Sequence, residues 1–298
     1  MTIGFATGLR ATVQSLGWLG VRSGVFSRCG LDIECRGVGV SGPAAAAGML
    51  RGDWMFCETG TVPVVQGVIE GRDPVILLVP SSPQIGSYIM ARPGILAPSD
   101  MSGAKIAVLS ETGQNTVSAS MWLRGHGVTA TLVAQGSFER EYDALVTGSV
   151  DAAYLPVDFR FRAERDLGAT LFPISTGLQG AVVACTQRLI ERDRDLVARI
   201  VRGYIETIHW FKTEPASVVP LLAEFLQFTD EPAVAKLHAF YADAFQVRPR
   251  PDERGIRTVL TELAGTHPEA LTLPSGAVVD TSFLDELEMS GFVERLYA

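Results

Sequence analysis

Asp53-Trp54-Met55-Phe56-Cys57-Glu58-Thr59-Gly60-Thr61-Val62-Pro63 is the stretch on which the reading of this 298-residue chain turns. Asp53 to Phe56 are short, apolar and aromatic after the turn pair Arg51-Gly52, which predicts a buried strand. The apolar run then stops. Cys57 to Thr61 read as a small polar loop, and Pro63 opens a predicted helix to Glu70, because proline's missing N–H costs nothing in a first helical turn. A loop between a strand's carboxyl end and a helix's amino end gathers unpaired N–H groups and a positive dipole end. Open α/β sheets bind ligands at such places. An ordinary strand-to-helix turn has the same signature, so the surroundings must decide.

Upstream, Thr2 to Ala6 predict a strand ending in Thr7-Gly8-Leu9-Arg10, followed by a helix over Val13 to Ser23. Leu31 to Val38 alternate, with Leu31, Ile33, Cys35 and Gly37 on one side, as in a half-buried strand that makes Cys35 a core thiol. Gly42 to Arg51 form an alanine-rich helix. Downstream, Pro74 to Pro80 are an apolar strand. Strands alternating with helices at this rhythm predict a parallel sheet.

Ser81 to Pro83 punctuate the chain and a second unit begins. Strands are expected at Ser87 to Arg92, Lys105 to Leu109, Thr129 to Ala134, Ala152 to Leu155 and Thr170 to Pro173. Helices are expected to His126, over Phe138 to Thr147 and over Pro156 to Arg165. Ala181 to Thr186 lead back out. From Arg188 the chain reads as helical, with a long amphipathic helix over Asp193 to Lys212.

Composition excludes several partners. With 25 basic against 33 acidic residues, a net charge of −8 and no basic cluster, neither nucleic acid nor an anionic membrane is expected. No apolar run reaches the length of a membrane span. The amino terminus lacks the basic start and apolar stretch of a signal peptide. A cytoplasmic location follows if Met1 is the native start, and a periplasmic or extracellular one if a signal was removed. Cys29, Cys35, Cys57 and Cys185 show no CxxC spacing and read as free thiols, or at most one disulfide. His126, His209, His238 and His267 are scattered, so no metal and no cofactor are expected. A monomer is expected.

Glu58-Thr59-Gly60 recurs as Glu111-Thr112-Gly113, which leads through Gln114 and Asn115 into a helix. Three residues do not make a repeat. Each half of the chain nevertheless presents a polar strand-to-helix loop. Thr7 to Arg10, Ser137 and Arg140, and Pro156, Asp158 and Arg160 end strands in the same way. Gln179 and Gly180 lie near the return crossover.

This order of parts resembles the type II periplasmic-binding-protein fold. Within it the chain looks like the branch of aliphatic-sulfonate, taurine and nitrate binding proteins of ABC transporters and thiamine-precursor proteins. Gly52-Asp53 to Pro63, Tyr88 to Pro93, Pro98 to Val108, Gly148 to Ala153 and Phe283 to Leu287 carry the resemblance. It implies an α/β protein of two lobes, each a mostly parallel sheet flanked by helices, with a helical carboxyl-terminal part. Residues 1–83 and 184–298 would form one lobe and 84–183 the inserted one, joined by crossovers near Val79 to Ser87 and Gly180 to Ala184. It also implies a hinge closing on a small polar or anionic organic ligand, handed to an ABC permease.

Two features depart from the sulfonate-binding pattern. Glu58 and Glu111 add carboxylates where small hydroxyl residues and glycines are usual, which favours a polar, zwitterionic or cationic ligand unless Arg10, Arg140 or Arg160 offsets them. The missing signal points to the cytoplasmic enzymes resembling this fold, a desulfinase- or decarboxylase-like lyase. Cys57 would then be a nucleophile, or Glu58 and Glu111 general bases. A helix amino end lowers a thiol's pKa and a neighbouring carboxylate raises it, so Cys57 is read as a quiet cysteine.

Overall fold

The computed structural model of the chain describes residues 2–80 and 87–298. Ten strands fall into two five-stranded sheets: β1 (Ile3–Thr7), β2 (Ile33–Val38), β3 (Phe56–Gly60), β4 (Pro74–Leu78), β5 (Ser87–Ala91), β6 (Lys105–Val108), β7 (Thr131–Ala134), β8 (Ala152–Pro156), β9 (Thr170–Pro173) and β10 (Ala181–Thr186). The first sheet has the order β2-β1-β3-β10-β4 and the second β7-β6-β8-β5-β9. The two orders are one topology written twice. In the first, β1 pairs in parallel with β2 and β3, and β10 enters antiparallel between β3 and β4; in the second, β6 pairs in parallel with β7 and β8, and β5, the strand that precedes them, enters antiparallel between β8 and β9. The shared placement of the two Glu-Thr-Gly segments is therefore structural, each lying at or just beyond the carboxyl end of a parallel strand.

The chain divides into two compact units, one up to residue 83 and from 179 on, the other 84–178. The expected boundary at 183/184 falls inside β10, whose pairing with both β3 and β4 commits it to the first sheet from Ala181 onward. Of the expected crossovers, Val79 to Ser87 lies mostly outside the described residues.

The first unit also holds α1 (Leu16–Arg22), α2 (Val25–Arg28), α3 (Gly42–Arg51) and α4 (Thr61–Ile69). The second holds α5 (Gln114–Gly125), α6 (Phe138–Thr147) and α7 (Arg160–Leu167). The carboxyl-terminal part returns to the first unit as α8 (Gln187–Arg192), α9 (Arg194–Thr213), α10 (Pro215–Leu226), α11 (Glu231–Ala244), α12 (Glu253–Leu263), α13 (Ser282–Met289) and α14 (Phe292–Leu296). The expected helix over Val13 to Ser23 is a 3-10 turn at Thr12–Gln14 and then α1. That over Pro156 to Arg165 is likewise a 3-10 turn, Val157–Phe159, followed by α7. Leu196, Ile200, Ile208 and Phe211 of α9 are all buried, as the amphipathic spacing requires. Tyr204 on the same helix meets Phe26 and Phe56 edge-on, and Phe56 stacks on Phe5 at 5.0 Å. This aromatic cluster fixes α9 to the first sheet. Ile89, Ile106, Val108, Trp122, Leu123 and Tyr154 form the corresponding core of the second.

The opening stretch differs most from expectation. The strand is Phe56–Gly60, not Asp53–Phe56, and the helix begins at Thr61. Cys57, Glu58 and Thr59 are polar but wholly buried, and they pair with β1 on one side and β10 on the other. Backbone pairing in a central strand outweighs the side chains' preference for water.

Candidate functional site

Four segments meet at the carboxyl end of the first sheet. Gly8, just past β1, donates its N–H to the backbone oxygen of Glu58 (2.8 Å), and Ser41 donates to Gly8 O (2.9 Å). Thr59 Oγ1 donates to Gly42 O (2.9 Å), while Thr61 donates to Gly180 O through both its N–H (3.2 Å) and its hydroxyl (2.9 Å). A Cβ on Gly8 would lie 2.8 Å from Gly42 Cα, so only glycine allows the two backbones this approach. Ser41 caps α3 by accepting from Ala44 N–H (3.4 Å), and Gly60 caps α4. The amino ends of two helices, of ten and nine residues, thus lie side by side over a floor of glycine and threonine. Of their first-turn N–H groups, that of Ala44 is taken by Ser41 Oγ and that of Thr61 by Gly180 O, and Pro43 and Pro63 have none, so what the two ends offer is chiefly the positive potential of their dipoles. The arrangement suits an anionic or hydrogen-bond-accepting group.

Glu58 is not part of that floor. Its carboxyl turns into the core, where Oε1 accepts from Gly17 N–H of α1 (2.8 Å). Burial pushes its pKa up to about 8, partly offset by the Gly17 hydrogen bond and by the nearby Tyr204 hydroxyl. Tyr204 is close enough to act on the carboxyl. Neither Glu58 Oε2 nor the Tyr204 hydroxyl, however, meets hydrogen-bond geometry with any described residue. At pH 7 Glu58 is therefore mostly neutral. The charge expected to oppose an anion at this loop is absent, and so is a solvated general base.

Cys57 faces the other side of the strand, with its Sγ 3.7 Å from Met49 Sδ on α3. It is fully buried, and that burial, with Glu58 a smaller cause, pushes its thiol well above the ordinary range. The geometry required of a nucleophile, access and a thiolate, is not met. Iodoacetamide at pH 8 is expected to leave Cys57 and the equally buried Cys185 unmodified in the folded protein. The half-buried Cys29 and Cys35, with thiols pushed up to about 11, should react slowly. Peptide mass spectrometry with and without urea checks this, and first labelling at Cys57 in the native protein would restore it as a nucleophile.

The other expected residues divide between the units. In the first, Thr7 is buried and donates its hydroxyl to Leu9 O (2.6 Å). Arg10 is partly buried; it donates to Phe225 O at the end of α10 (2.6 Å) and lies over the Phe225 ring. Gln179 is buried, its Oε1 accepting from Asp252 N–H (2.7 Å) ahead of α12. In the second, Glu111 and Thr112 are exposed. Gly113 is buried at a φ of 105° as it caps α5, and Gln114 and Asn115 begin that helix. Arg140 is exposed in the first turn of α6. Pro156 and Asp158 are buried at the end of β8, and Arg160 pairs with Glu164 (3.1 Å) and reaches the Tyr88 hydroxyl (3.5 Å). Glu58 and Glu111 belong to different units and different environments, so the pairing expected of them has no counterpart within either.

Sequence reasoning missed Gly17, Tyr204 and Glu141. The last is a carboxylate on the sheet-facing side of α6, fully buried, with both oxygens lacking a hydrogen-bond partner among the described residues. Its spacing with Phe138, Tyr142 and Leu145 carries the signal, since all four fall on one helical face.

Together the paired sheets and their antiparallel entering strands are the fold of the type II periplasmic binding proteins. A solved protein of Bordetella bronchiseptica RB50 is similar with a TM-score of 0.82 at 14% identity, over 97% of each chain. The periplasmic aliphatic sulphonate binding protein SsuA from Escherichia coli is similar with a TM-score of 0.73 at 16% identity, over 92% of this chain and 88% of that one. The alkanesulfonate-binding protein SsuA from Xanthomonas axonopodis pv. citri, bound to MOPS, gives 0.76 at 15%, over 94% and 98%. No family model and no curated protein matches the chain. No helix among the described residues is long and apolar enough to cross a membrane.

Proposed function

We propose that this protein is a solute-binding component that takes up a small polar or anionic organic molecule and delivers it to an ABC-type importer. The observation that carries the reading is the meeting of Gly8, Gly42 and Gly60 beneath the amino ends of α3 and α4. Neutral Glu58 supports it, because the one carboxyl in that strand does not repel an anion. Likeness of fold to sulfonate-binding proteins supports it further.

The test is calorimetric titration of the whole chain with ethanesulfonate, MOPS, acetate and nitrate at constant ionic strength. At least one anion should bind saturably, and Gly8→Val, whose side chain forces the Gly8 and Gly42 backbones apart, should weaken that binding at least tenfold. No saturable binding, or binding unchanged in Gly8→Val, would remove the reading.

A further inference from the structure

Glu141 marks a second recognition point, in the second sheet. The loop before α6 is fastened to the carboxyl end of β6, Gln135 N–H to Val108 O and Gly136 N–H to Leu109 O, both 2.9 Å. Phe138 and Tyr142, on either side of Glu141, both lie against Phe159, three residues beyond the end of β8. The turn of α6 carrying Glu141 therefore lies at the carboxyl end of the sheet. A helical side chain leans toward its helix's amino end, so the carboxyl leans further that way.

Glu141 is fully enclosed, yet neither oxygen has a hydrogen-bond partner among the described residues. Tyr154 of β8 lies within electrostatic reach of it. Phe138, Tyr142 and Leu145 occupy neighbouring positions of the same face. An unsatisfied buried acid in a native structure calls for a partner that the chain does not supply. The described residues offer no group of three His, Cys, Asp or Glu side chains for a metal ion, and an organic donor is the partner this carboxyl suits. Two lone oxygens of one carboxyl match two N–H donors of one planar cation.

We propose that Glu141 selects ligands bearing a cationic nitrogen group, an amidinium or a protonated amine, as its counter-ion. This rests on the solute-binding reading above and narrows its ligand class.

The test uses acetamidine and methylamine as probes, with acetamide as the neutral control, on the full chain at matched ionic strength. Calorimetry and thermal unfolding are followed for wild type and Glu141→Gln. Wild type should be stabilised saturably by acetamidine and not by acetamide, and Glu141→Gln should weaken acetamidine binding at least tenfold. Without probe, Glu141→Gln should unfold at a higher temperature than wild type, since a neutral amide replaces a buried acid; a merely structural acid would give that rise with no change in binding. Acetamidine failing to bind, or binding both forms equally, overturns the proposal. If anions still bind and are lost in Gly8→Val, only this inference falls; if anions fail as well, the solute-binding reading falls with it.

Discussion

Replacing Glu58 by glutamine is expected to abolish a steep loss of stability between pH 5 and pH 8. The unfolded chain releases this proton near pH 4.5, whereas the folded chain holds it to about 8. Between those values the native state carries one proton more than the unfolded state, so stability falls as pH rises. Below the window both states are protonated and the contribution is fully present; above it the loss is complete. The slope is about 1.4 kcal/mol per pH unit, which gives about 4 kcal/mol between pH 5 and pH 8. Glutamine keeps the acceptor for Gly17 N–H and cannot ionise. Its second amide hydrogen adds a constant cost of about 1 kcal/mol at every pH. The measurable quantity is therefore the change in the difference between variant and wild type, from urea unfolding at pH 5 and pH 8.5. Glu58→Gln should gain about 4 kcal/mol on wild type across that interval. A difference that stays constant would mean that Glu58 is ionised in the folded protein, and would return its charge to the anion question.

The same residue shows why the site was only partly legible in the sequence. Apolar runs such as Val75 to Val79 and Ile106 to Val108 gave strands in the right order, because burial of both faces demands such runs. Cys57-Glu58-Thr59 broke the pattern, and polar residues after an apolar run read as a loop. A carboxyl that keeps its proton is a neutral polar group, and a strand can bury it when backbone partners lie on both sides. Strand direction was equally hidden. β5 and β10 enter antiparallel, and the side-chain period of two is the same in either direction. Glu141 lies in the helix expected over Phe138 to Thr147 and was passed over because Phe-Glu-Arg-Glu-Tyr is charged in composition; its helical spacing places it inward. The Gly8–Gly42 approach joins residues far apart in the chain, and no local pattern announces it.

Gly17 tests the same core from the helix side, with two effects opposed in sign. Alanine is worth up to about 1 kcal/mol over glycine in a helix interior, and less at Gly17, the second residue of α1. In α1, however, a Cβ at Gly17 would come within 2.3 Å of Phe5 Cζ and 2.5 Å of the Tyr204 hydroxyl. Both rings are fully buried, Phe5 stacked on Phe56 and Tyr204 set edge-on against Phe26 and Phe56, so neither has space to retreat. Overpacking of this kind costs about 1–3 kcal/mol and at times more. Displacing α1 also lengthens the Gly17 hydrogen bond to Glu58, one of the two contacts that ease the carboxyl's burial. Sterics should win, and Gly17→Ala should destabilise by about 2 kcal/mol or more at pH 7. Tyr204→Phe removes one of the three clashing atoms, the other two being Phe5 Cζ and Cε2. In that background the cost of Gly17→Ala should shrink by about 1 kcal/mol, a coupling that a double-mutant cycle reads directly. Urea unfolding of the four proteins supplies the cycle. If Gly17→Ala stabilises the protein, or if the two changes simply add, α1 does not press on the Tyr204 hydroxyl and the close packing that leaves Glu58 protonated is not there.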